Sequence, residues 1–144
     1  MNPGKVININ PDIIAVATNM TKFGGNYPIL RIVKTKLPKF EKELGMIIPT
    51  VALYNDNPHD YPFWAEFHPV PISHGTTDKG ILKARFESFS KDDFAKLNKY
   101  IEEVTTIEEG TYKIEKETSG WKDYPNVEIG SLSKMKAPEE SNKT

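Results

Sequence analysis

The chain has 144 residues, 38% of them hydrophobic and 27% charged, with a formal net charge of −1 and no cysteine. That length fits one domain able to bury a real core, and the missing cysteines exclude disulfides, thiolate zinc sites and cysteine nucleophiles. No apolar run approaches the roughly 20 residues of a membrane-spanning helix, and the first ten residues, MNPGKVININ, lack the apolar centre of a signal peptide; a cytoplasmic protein without membrane association is expected.

The small net charge hides an asymmetry. Residues 1–40 hold Lys5, Lys22, Arg31, Lys34, Lys36 and Lys39 against Asp12, a net +5, whereas residues 41–144 hold 13 basic and 19 acidic residues, a net −6. Such a split can mark a basic face for an anionic partner, or charges simply scattered over a solvated surface.

In chain order, Ile7 and Ile9 alternate with Asn8 and Asn10, the pattern of a short strand. Asn10-Pro11-Asp12 fits either a turn or a helix start. Residues 13–18 are β-branched enough for a buried strand. Phe23-Gly24-Gly25-Asn26 reads as a turn, because glycine supplies positive φ. Residues 29–36 read as the return strand, with Lys34 and Lys36 on one face and Arg31 on the other beside Ile29 and Val33. Residues 39–44 suit one or two helical turns stopped by Gly45. Residues 47–54 form another strand, and residues 55–62 a loop rich in Asn, Asp and Pro. Residues 63–72 are extended and aromatic, confined to a sheet edge by Pro69 and Pro71. On that strand Tyr61, Phe63 and Phe67 share one face, and Trp64, Glu66 and His68 the other.

A polar loop at 73–80 then leads to the clearest stretch. Leu82, Ala84 and Phe86 alternate with Lys83, Arg85 and Glu87, which predicts a strand with one wet face. Ser90 offers an N-cap with Asp93 three residues on, and Phe94, Leu97, Ile101 and Val104 recur at helical spacing. Beyond the helix, residues 111–118 read as a strand with Tyr112 and Ile114 inward, and 127–132 as a last short one. Residues 1–132 thus form one domain. Residues 133–144, aperiodic and rich in Pro, Glu, Ser, Asn and Lys, form a disordered tail.

Consecutive strands joined by short polar turns predict an antiparallel sheet of six to eight strands with one amphipathic helix over one face, an α+β fold. Architecturally this plan resembles small single-strand-binding domains of the OB and Pur-like types. No family motif accompanies the likeness, and fold alone does not assign function.

Motifs for chemistry are few. His59, His68 and His74 match no metal-ligand spacing, though Asp60 and Asp78 could complete a nitrogen–oxygen site. Ser73, His74 and Asp78 are the residue types of a nucleophile, base and orienter, but sequence neighbours point apart. Trp64, with His68 on the same face, could stack bases, and cations on other strands could hold phosphates.

The expected function is therefore a small non-enzymatic binding protein, with no catalytic residue, metal or cofactor. It would bind single-stranded nucleic acid through Arg31, Lys34, Lys36, Trp64, His68, Lys83 and Arg85. The alternative is an inhibitor or immunity-type protein of phage or bacterial origin, docking on a protein through Glu102, Glu103, Glu108, Glu109, Glu115 and Glu117. A third reading is a small hydrolase or nucleotide-binding enzyme built on His68, His74, Asp78 and Arg85. Pairing of an exposed strand edge would make a homodimer.

Overall fold

The computed structural model describes residues 1–22, 25–56 and 63–119. Among the described residues six strands form one antiparallel sheet: β1 (Asn2–Asn8), β2 (Ile13–Asn19), β3 (Pro28–Lys34), β4 (Ile47–Asn55), β5 (Glu66–Pro71) and β6 (Gly110–Lys113). Their order across the sheet is β5-β4-β1-β2-β3-β6. Two helices, α1 (Lys79–Glu87) and α2 (Lys91–Val104), lie between β5 and β6 in the chain. The α+β class and the antiparallel sheet are as expected. The strand order goes no further toward an OB-like or Pur-like plan.

Ile13, Ile14, Ala15 and Val16 of β2 are all buried, because both faces of the central sheet are covered. On one face Ile13, Ala15, Leu30, Ile32, Tyr112 and Ile114 pack beneath Leu97 and Tyr100 of α2. On the other, Val6, Ile14, Val16, Ile29 and Ile48 pack with Met20, Tyr27, Leu37, Phe63 and Phe67. A strand buried on two faces has no reason to alternate.

α2 forms where the sequence places it. The Ser90 hydroxyl accepts from the Asp93 amide at 3.1 Å and the Asp93 carboxylate accepts from the Ser90 amide at 2.8 Å, a reciprocal cap. Of the predicted stripe Leu97 is fully buried, and Tyr100, one turn from it, joins it in the core.

The expected strand over Leu82–Glu87 is instead helical, so two helices flank the sheet rather than one. The cause is local. Asp78 caps this turn, its Oδ1 accepting from the amides of Gly80 and Ile81 at 2.9 and 3.2 Å. Leu82 and Phe86 are four apart, so they share a helical face as readily as a strand face.

Smaller differences follow the same logic. β1 starts five residues earlier than the Ile7–Ile9 pattern implied. Asn10-Pro11 forms a turn, not a helix start, with Asn10 at φ 59°. Lys36 lies two residues beyond β3. The strand expected over 111–118 is short, because a 3-10 turn at Glu115–Glu117 ends it. Tyr112 and Ile114 are nevertheless inward. β5 is an edge strand, as Pro69 and Pro71 require. The expectations for Tyr61, His59, Asp60, the 127–132 strand and the 133–144 tail lie outside the described residues. No helix among the described residues is long and apolar enough to cross a membrane.

Candidate functional site: an apolar groove between α1 and β4

The seven residues expected to bind nucleic acid do not form one track. Arg31 is 5% exposed on β3, on the predicted face with Ile29 and Val33, but that face is interior. Its Nη1 donates to the carbonyls of Ile32 and Gly110 at 2.8 and 3.0 Å, and burial pushes its pKa down. Lys34 and Lys36 sit at and beyond the end of that strand. Trp64 is half-buried before β5; its ring lies 5.5 Å from that of Tyr54, with the Lys22 ammonium 4.9 Å from its centroid. His68 lies on β5 opposite Leu53, 3.3 Å from the Glu66 carboxylate. Hydrogen bonds from Asn55 first, then His68, pull the Glu66 pKa down. Lys83 and Arg85 stand on α1, two residues and so roughly 200° apart around the helix.

The hydrolase set is equally dispersed. His74 Nε2 donates to the Lys36 carbonyl at 2.8 Å, and Asp78 is engaged in capping α1. Ser73 gives its proton to Glu41, not to His74, at 2.7 Å. No group of three or more His, Asp or Glu side chains able to hold a metal occurs among the described residues. The acidic set is partly neutralised: Glu117 takes hydrogen bonds from Lys99 and the Tyr100 hydroxyl, and Glu109 accepts from the Lys34 amide.

What the chain does build is a groove of about 450 Å³ between α1 and β4. One bank is α1, which supplies Leu82 and Phe86 in one row and Lys79 and Lys83 in the next. The pairs are each four residues apart, so each row runs along the helix axis. Phe86 packs tilted and Phe89 edge-on against Phe94 of α2, with ring centroids 5.8 and 6.2 Å apart, which anchors the C-terminal end of this bank.

The other bank is the 3-10 turn Lys39–Glu41, with Met46, Ile47 and Pro49 leading into β4. Asp12 fixes this segment. Its backbone carbonyl accepts from the Thr35 amide at 3.1 Å and its Oδ2 from the Leu37 amide at 3.0 Å, while Lys42 approaches to 3.5 Å. Gly45, at φ +84°, turns the chain back toward β4 in a conformation other residues resist. Glu41 is 2% exposed in the wall and bonded to Ser73. Burial raises its pKa above the usual 4.5, against the smaller opposing effects of Ser73 and His74.

Phe40 and Phe86 on the two banks are 39% and 40% exposed, so large apolar rings flank an open slot. The Lys79 ammonium stands 5.6 Å from the Phe40 ring centroid, a cation–π contact joining the banks. The strand expectation for 81–87 hid this site, since it set Leu82 and Phe86 on one face with nothing opposite. The signal that would have found it is the pair of i,i+4 rows beginning one residue after a capping aspartate.

The described residues thus define an α+β domain with an apolar groove between α1 and β4. The chain belongs to the family described as Protein of unknown function (DUF3239), which matches residues 1–105. That span runs from β1 through α2 and includes both banks of the groove. The fold is similar to the crystal structure of a protein from Corynebacterium diphtheriae described as a putative membrane protein. The two share 18% identity at a TM-score of 0.63, over 78% of this chain and 98% of that one. No curated protein matches the chain.

Proposed function

We propose that this is a small non-enzymatic binding domain whose working surface is the groove between α1 and β4. The observation that carries the proposal is the groove itself, about 450 Å³ walled by Phe40, Met46, Ile47, Pro49, Leu82 and Phe86. Ligand sites are typically concave, mostly apolar and about 300–1,000 Å³, with a few placed polar groups. Large apolar side chains left half-exposed around a cleft cost solvation that an occupant would recover. The dispersal of Arg31, Trp64, Lys83 and Arg85 gives a nucleic acid strand no shared face, so the groove rather than the sheet supports binding. A cytoplasmic setting is in keeping with the cysteine-free sequence.

The test is titration with Nile red, a neutral apolar dye, followed by dye fluorescence and backbone amide shifts. Saturation at one site is expected, with responses at Phe40, Met46, Leu82 and Phe86, and loss in Phe86→Glu. Absence of saturable binding, or shifts centred on another face, would sink the proposal.

A further inference from the structure

We infer that the groove takes a single-chain anionic amphiphile: an alkyl chain lying between α1 and β4, with a carboxylate head held by Lys79 and Lys83. This inference rests on the groove being the working surface.

The chemistry follows from the two parallel rows of α1. An occupant in contact with Leu82 and Phe86 lies alongside Lys79 and Lys83, because Lys79 stands three residues before Leu82 and Lys83 three before Phe86. Apolar length and negative charge must therefore belong to the same molecule. Lys79 makes no ion pair among the described residues, and Lys83 has only a 4.0 Å approach to the exposed Glu87 on its own helix. Neither cation is neutralised by a close carboxylate among the described residues, and the contact with the Phe40 ring holds the Lys79 ammonium at the groove mouth. The one acid in the lining, Glu41, accepts the Ser73 hydroxyl at 2.7 Å within the wall.

The shape selects a single chain over a bilayer. Docking on a membrane needs apolar side chains that project beyond the surrounding cations. Here Leu82 and Pro49 are buried in the groove floor between its banks, and the exposed Leu44 and Ile81 of the same banks do not line it. A second copy of the chain would bring like-charged rims together.

The experiment uses the full chain and amide-shift titrations with octanoate, decanoate and dodecanoate below their micelle thresholds, with dodecanol and dodecyltrimethylammonium as head-group controls. Affinity should rise about fourfold per added methylene while the chain fits. Dodecanoate should exceed dodecanol by about tenfold, in line with charge-assisted hydrogen bonds. The cationic amphiphile should bind most weakly. The double variant Lys79→Gln, Lys83→Gln should lose the preference for dodecanoate yet keep dodecanol binding within about twofold, while Lys91→Gln, Lys96→Gln on α2 changes neither.

Equal binding of dodecanol and dodecanoate, or a double variant that keeps the preference, would overturn the head-group assignment while the groove proposal stands. Failure of every alkyl probe to move groove amides would overturn both. Binding to anionic phospholipid vesicles without binding of dodecanoate would assign the surface to a bilayer and overturn the single-chain inference.

Discussion

Removing the Asp12 side chain should loosen one bank of the groove as well as the fold. Its Oδ2 accepts from the amide of buried Leu37 at 3.0 Å, and a hydrogen bond to a charged group contributes about 1.5–3 kcal/mol. Lys42 at 3.5 Å, partly exposed, adds up to about 1 kcal/mol. Oδ1, buried with no hydrogen-bond partner among the described residues, offsets roughly 1 kcal/mol. The balance for Asp12→Ala is a loss of about 2 kcal/mol at pH 7. At about 3–4 °C per kcal/mol for a domain of this size, Tm should fall by roughly 6–8 °C. The pH dependence has a definite sign. The Leu37 hydrogen bond chiefly, with Lys42, holds the Asp12 pKa below its usual 3.8. Its charge therefore stabilises the fold above that value and ceases to do so as pH falls through the lowered one. Urea denaturation of wild type and Asp12→Asn should show a gap that is widest at neutral pH and closes in acid. An unchanged urea midpoint for Asp12→Ala at pH 7, or a gap for Asp12→Asn that persists undiminished near pH 2, would refute the reasoning.

Other perturbations test other parts of the structure. Leu97→Ala should cost about 2–5 kcal/mol, since Leu97 is wholly buried between α2 and the sheet; an urea midpoint shift worth under 1 kcal/mol would mean that α2 packs elsewhere. Ser90→Ala removes the α2 cap and should cost about 0.5–2 kcal/mol, seen as a lower thermal midpoint by circular dichroism. Glu41 has the opposite sign to Asp12. With its folded pKa raised above 4.5 by burial, it withdraws stability as pH rises through that value toward the raised one. Glu41→Gln keeps an acceptor for Ser73 and should flatten that decline. A variant whose stability falls with pH as steeply as wild type would contradict the assignment.

How much of this could be read from the chain differs between adjacent helices. α2 was legible in cap and stripe, because a reciprocal Ser–Asp cap and apolar residues three or four apart admit one local structure. α1 was not, since Leu82-Ala84-Phe86 satisfies strand alternation while Leu82 and Phe86 also satisfy helical spacing. The capping Asp78 decides between them, and Gly80 inside the first turn obscures it. Arg31 shows a different failure. Its strand face was right, but whether that face meets water depends on segments far away in sequence, such as Phe63 and Phe67. The basic first third dissolves for the same reason: Lys5 reaches Asn98, Lys22 pairs with Asp56, and Arg31 bonds carbonyls of β3 and β6. The groove was illegible because its two banks are about 40 residues apart, although each bank's chemistry is written locally.

The strand order also fixes a length. β5 and β6 are opposite edges of the six-stranded sheet, so the chain must cross its full width between them. Five spacings of about 4.8 Å make about 24 Å. α1 packs against β4 and α2 against β1, β2 and β3, so the two helices share that crossing. The segment that returns the chain to the far edge is therefore the same one that shields the strands it passes, and the sheet gains its cover and its last strand from a single connection.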